Sequence, residues 1–240
     1  MESGRALLLI ADIGGYTNYM RFHRASLSLA HAQATTARLL KRVVDAAGDF
    51  DLIEIEGDAA FLSRQAGALD GAATVAKTTQ AAVAMHRAFH AERRLVELNL
   101  CPCDGCAGTG DLKLKFVAHI GEVATQKIKR RRKLVGIDVI LVHRLLKNPV
   151  QVPEYVLLSE DLYRNGEAAL PDPVHEITQD LEGVGPVHAY FVEVEDLVGP
   201  LRPVPDPSRL QRLGETVGIL SRGLPYMLGL RRRGRISQSQ

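Results

Sequence analysis

Two aspartates stand where apolar runs meet glycine turns. Asp12 closes the run Ala6-Leu7-Leu8-Leu9-Ile10-Ala11 and is followed by Ile13-Gly14-Gly15. Asp58 follows Gly57, between apolar runs at residues 53–55 and 59–62. A carboxylate at a strand end lies at the rim of a sheet, and glycine lets the backbone turn sharply beside a ligand. Two such carboxylates supply the hard oxygen ligands that Mg²⁺ and Mn²⁺ select, usually alongside phosphate. Aspartates in these positions also cap turns. A second cluster, Cys101, Cys103 and Cys106, gathers three thiols in one short stretch. Thiolates so spaced give two or three of the four tetrahedral ligands of a structural Zn²⁺. His86 and His90, one helical turn apart, and His119 are candidates for a further ligand, as is a residue of a second subunit. Reduced surface thiols or a redox-sensitive loop are the alternatives. A catalytic cysteine lacks a partnered His and Asn/Asp spacing. His119 reads as a core or rim histidine rather than a ligand. Residues 127–133 hold six basic side chains in seven, which suits a phosphate-facing cluster, a contact to an acidic partner, or a solvated basic hairpin.

These groups need elements to hold them. Residues 5–12 read as a strand buried on both faces, because the apolar run does not alternate. Residues 16–20 begin a helical region. Residues 26–48 carry Leu27, Ala30, Ala34, Leu39, Leu40, Val43 and Val44 at helical spacing, with Gly48 as a stop. Residues 50–55 and 59–63 form a hairpin about Gly57-Asp58. Residues 70–100 make a long amphipathic helix with Val75, Ala82, Met85, Phe89, Leu95 and Leu98 toward the core. Residues 112–123 alternate as a strand, and 135–146 return to helical spacing. A short buried strand at 155–158 precedes a turn or short helix near 161–165. Residues 174–181 and 187–194 flank Glu182-Gly183-Val184-Gly185-Pro186 as a last hairpin. The order β-α-β-β-α-β-α-β plus hairpin is an α+β fold with an extended ferredoxin-like βαββαβ core.

The chain has 240 residues, 46% hydrophobic and 24% charged, with a net charge of +2. That balance is ordinary for a globular domain and points to no particular partner. No apolar run approaches the ~20 residues that span a bilayer, and the first residues lack a signal-peptide pattern. A cytoplasmic location is expected. Aromatic residues make up 5%, which argues against base-stacking DNA or RNA modules. Residues 1–198 are read as one domain. Residues 199–240 are read as an appendage, a linker with four prolines at 199–207 followed by a basic tail. The tail suits contact with an anionic membrane surface, a flexible tail, or a segment packing on the domain; its glycines and proline weaken any helix and favour the last two.

The motif Ala11-Asp12-Ile13-Gly14-Gly15-Tyr16-Thr17 resembles the first metal-binding motif of the class III nucleotide cyclases, the adenylate and guanylate cyclase catalytic domains. Ile55-Glu56-Gly57-Asp58 resembles the second. The strand around His119, the helix carrying Arg144 and the strand ending in Ser159 look like the elements that follow, so the likeness runs in register over residues 7–161. The whole looks most like an uncharacterised bacterial subgroup of cyclase-like proteins.

The resemblance implies a homodimer that binds a purine nucleoside triphosphate with two Mg²⁺ or Mn²⁺ ions. Asp12 and Asp58 would carry the ions, and the backbone of Ile13, Gly14, Gly15 and Tyr16 would meet phosphate as an anion nest. Glu54 and Lys133 fall at the base-reading positions, and Arg144 at the arginine that stabilises phosphoryl charge. The ions would clamp the attacking ribose oxygen and the phosphates. Departures accompany the matches. Ile140 stands where the family places an asparagine, and Glu154 lies where it often places a triphosphate lysine. Glu54 with Lys133 completes neither familiar purine pair. Losing one fixed donor to a developing charge costs ~10²–10³ in rate. The expectation is therefore a nucleotide-binding regulatory module with degenerate catalysis, the alternative being an active, atypical purine nucleotide cyclase.

Overall fold

The run at residues 6–11 forms the middle of β1 (Ser3–Gly14), and every side chain in it is buried. The computed structural model describes residues 3–25, 29–67, 71–98, 108–129, 131–164 and 166–198, with a few positions between 206 and 217. After β1 come α1 (Tyr16–Ala25), α2 (Leu29–Asp45), β2 (Asp51–Glu56), β3 (Ala59–Gln65) and α3 (Gly71–Glu97). A 3₁₀ turn at Gly108–Asp111 leads into β4 (Lys113–Ile128) and β5 (Arg131–Val135), followed by α4 (Ile137–Leu145), β6 (Tyr155–Ser159) and α5 (Glu160–Arg164). The hairpin β7 (His175–Leu181) and β8 (Gly185–Glu193) precedes α6 (Val194–Val198).

One sheet runs β2-β3-β1-β4-β6-β8-β7, with β5 hairpinned onto β4. Its first four strands have the order and antiparallel pairing of a ferredoxin-like core, and β6 adds in parallel to β4. Successive residues of β1 face opposite sides. Leu7, Leu9, Ala11 and Ile13 pack with α2 and α3, through Leu39, Val43, Met85 and Phe89. Ala6, Leu8 and Ile10 pack with α4 and the terminal hairpin, through Val142, Leu145, Leu181 and Ala189. Burial on both faces is why the strand reads as a continuous apolar run rather than an alternating one.

Several local expectations change. Ala34 of α2 faces solvent while Ala32, Thr35 and Thr36 are buried, so the helix is turned relative to its simplest apolar stripe. Thr36 satisfies its hydroxyl within the helix, donating to the Ala32 carbonyl at 3.0 Å. Near the end of α3, Glu92 and Val96 face inward and Leu95 and Leu98 are only half-buried. Glu92, 3% exposed, is clamped by Arg38 and by Arg42 at 3.0 Å, which ties α2 to α3. On β2, Leu52 and Ile55 are 45% and 43% exposed; β2 is an edge strand, and its register shifts between Leu52 and Glu54. The basic run at 127–133 lies in the β4–β5 hairpin, whose turn includes Lys129 at positive φ. Among the described residues no helix is long and apolar enough to cross a membrane.

Candidate functional site

Asp12 sits near the end of β1, paired with Ala59 of β3 on one side and Lys115 of β4 on the other. Asp58 immediately precedes Ala59 in the β2–β3 turn, which Gly57 closes at φ 66. The Ile13 N–H donates to the Asp58 carbonyl at 3.2 Å, extending the ladder so that the two aspartates come out side by side. Lys115 Nζ lies 3.2 Å from Asp12 Oδ2. Burial pushes the Asp58 carboxyl above its ordinary value, and the Asp12 charge pushes it further; the Asp58 backbone N–H and Lys115 offset part of this. Two carboxylates that repel each other at a half-buried rim suit a divalent cation, and Lys115 is the resident counter-charge. Lys115→Met removes that competitor. The expected results are a further rise of the Asp58 pKa, read by carboxyl NMR, and tighter Mn²⁺ binding by calorimetry.

Gly15 turns the chain at φ 84 from β1 into α1. The first intrahelical bond runs from Tyr19 N–H to the Gly15 carbonyl, so the amides of the first turn point out of the helix N-terminus, a place that favours anions. The Ile13 amide is engaged by the Asp58 carbonyl, so of the nest expected over Ile13, Gly14, Gly15 and Tyr16 this amide is already taken. Tyr16 and Gly57 also line an apolar groove of about 420 Å³ between α2 and β2, with Leu40, Val44, Leu52 and Ile55.

Glu54 and Lys133 meet. Lys133 Nζ lies 2.9 Å from Glu54 Oε2, bridging β2 to β5 across 79 residues of sequence. Both are part-exposed, so the pair contributes no more than ~1 kcal/mol and a ligand displaces it cheaply. Arg144 lies elsewhere in this chain, on α4. It lines a groove of about 850 Å³ with Thr178, Asp180 and Glu182, and its guanidinium lies close to Gly183 of the β7–β8 turn. Ile140, one helical turn earlier, is 47% exposed. Cys101, Cys103 and Cys106 lie outside the described residues, as does the tail beyond residue 217.

His119 is fully buried. Its Nδ1 lies 2.7 Å from Ser159 Oγ and its Nε2 3.1 Å from Asp138 Oδ1, while Asp138 Oδ2 accepts the Glu122 N–H at 2.6 Å. Ser159 is 3% exposed and accepts the Leu162 N–H, so the His119–Ser159 bond joins β4 to β6 with Asp138 of α4 beside the ring, and no accessible nucleophile is offered. His86 and His90 turn instead to Glu154, at 3.2 and 2.7 Å. Lys115 and Glu154 are the polar partners that sequence reading did not assign. For Lys115 the signal was its register opposite Asp12; for Glu154 no local spacing exists.

The family model "Protein of unknown function (DUF2652)" matches residues 36–155. An uncharacterised protein of Mycobacterium tuberculosis, Rv2561/Rv2562, is 35% identical over 197 residues, 82% of this chain and 90% of that protein. The chain belongs to the DUF2652 family. Among solved structures, the guanylyl cyclase Cya2 superposes with TM-score 0.57 at 20% identity, over 79% of this chain and 92% of that one. A class III adenylyl cyclase-like ATP-binding protein from Pseudomonas aeruginosa superposes with TM-score 0.54 at 19% identity, over 68% of this chain and 35% of that one. This DUF2652 member has the fold of the class III nucleotide cyclase domains.

Proposed function

We propose that this protein binds a purine nucleoside triphosphate with Mg²⁺ or Mn²⁺ at Asp12 and Asp58 and acts as a regulatory module rather than an efficient cyclase. The observation that carries this reading is the aspartate pair itself, held side by side by the β1–β3 register with Asp58 raised by burial and by Asp12. A divalent cation replaces Lys115 as their counter-charge, and the triphosphate adds oxygen ligands. Glu54 and Lys133 contact the base once their mutual ion pair opens. A second copy of the chain brings its Arg144 and base-reading pair across from these aspartates. The ATP-binding protein of the same fold is a precedent for nucleotide recognition on this scaffold.

Weak catalysis follows from α4. Ile140 offers no hydrogen-bond donor, and its exposed position leaves nothing to orient a reacting phosphate. Against this, both metal-binding carboxylates are kept, which favours an active cyclase as the second reading. Incubation with ATP or GTP and Mn²⁺, followed by mass spectrometry for cyclic product, separates the two. The regulatory reading expects nucleotide-induced thermal stabilisation, with product no higher than in Asp58→Ala. Product above that control by ~10²-fold or more, the scale of one fixed transition-state donor, selects the enzyme. Absence of both product and stabilisation overturns both readings.

A further inference from the structure

We propose that His86, His90 and Glu154 form a transition-metal site, suited to Zn²⁺, separate from the Asp12–Asp58 rim. The two histidines are four residues apart on α3 and therefore share one face. Their ring nitrogens converge on one carboxylate, Nε2 of His86 lying 3.2 Å from Oε2 and Nε2 of His90 lying 2.7 Å from Oε1. One donor atom from each residue lies within 4.8 Å of the others. Tetrahedral donors held ~2.0–2.1 Å from zinc stand about 3.3 Å from one another, so small side-chain adjustments close the site. Two imidazoles and a carboxylate are a borderline donor set that selects zinc-like ions over Mg²⁺.

Burial is the second observation. His86 is 1% exposed, yet neither of its ring nitrogens has a hydrogen-bond partner among the described residues. The Nε2 contact with Glu154 lacks hydrogen-bonding geometry. A buried polar group left in that state bears its desolvation penalty uncompensated, and a metal bond to Nε2 relieves it at that nitrogen. The surroundings fix the ligands. The Leu114 N–H donates to Glu154 Oε1 at 2.9 Å, and the Phe89 ring meets the His90 ring edge to face at 5.3 Å, as expected of a shell that orients metal ligands. Three protein ligands leave a fourth position for water or a ligand, and the site ties α3 to the start of β4 and of β6.

The test must exclude the three cysteines, so the full chain carries Cys101→Ser, Cys103→Ser and Cys106→Ser. The protein is stripped with chelator, titrated with Zn²⁺ and analysed for bound metal. The expected result is a single zinc ion per chain and a raised thermal midpoint. In the same background His90→Gln and Glu154→Gln, both near-isosteric, should weaken zinc binding by more than ~100-fold, beyond the loss seen for outer-shell partners. Asp58→Ala should leave it unchanged, which separates this site from the nucleotide proposal. Circular dichroism verifies that each variant is folded. No zinc in the cysteine-free protein, or equal zinc in both ligand variants, overturns the proposal; two variants guard against misfolding of either one.

Discussion

Asp58→Asn is expected to stabilise the metal-free protein at neutral pH while removing its response to Mn²⁺ and nucleotide. The folded state holds the Asp58 proton more tightly than the unfolded chain, because burial and then Asp12 raise the carboxyl from its ordinary 3.8. Ionising it therefore costs stability as the pH climbs from 3.8 through the raised value, and the full cost persists above that. Asparagine never ionises and escapes this cost. In chelator the variant and parent should melt alike in acid, with the variant melting higher at neutral pH. With Mn²⁺ and ATP the parent gains stability and the variant does not, its affinity falling by at least the ~10–100-fold that outer-shell partners of a metal cost. A variant that melts lower than the parent at neutral pH without metal would show that Asp58 serves the turn rather than a cation.

Phe89→Ala is expected to produce the largest loss of stability, ~3–5 kcal/mol in urea unfolding. Phe89 is fully buried in the layer between α3 and the sheet, among the largest side chains there. Its removal leaves a cavity that the rigid β1–β4 pair cannot collapse to fill. It also frees one face of the His90 ring. A cost below ~1 kcal/mol would mean that α3 shifts to close the gap.

Much of this was legible in the sequence because local pattern and tertiary environment agree. Residues 6–11 are apolar without alternation since both sheet faces are covered, and Gly57-Asp58 reads as a turn because few other pairs tolerate that backbone. The aspartate pair was legible for the same reason, each member being marked by its own glycine. Other features depend on what a strand meets far away. Leu52 and Ile55 look like core residues from their type, but β2 is an edge strand and leaves them exposed. Ala34 looks like core from its spacing, but α2 rolls to bury Thr35 and Thr36, and the Thr36 hydroxyl is satisfied within the helix. The His86–His90 pair was visible as a helical repeat, whereas its carboxylate lies 64 residues beyond His90. Reading Glu154 as a missing lysine described what it is not; only the β4–β6 pairing brings it under α3.

The length of β4 has a consequence for hydrogen exchange. At Phe116–Ala118 it is flanked by both β1 and β6, so those amides open only with the whole molecule. From Thr125 to Ile128 its pairing is to β5 alone, and there exchange needs only a local opening. The basic arm can thus bend or engage a ligand without loosening the strand that holds Lys115. At the other end, the Leu114 amide is bonded to Glu154 one residue before the lysine that faces Asp12. Its protection reports on ligation at α3 and on the rim beside Asp12 at once, so a single amide serves as a probe for both.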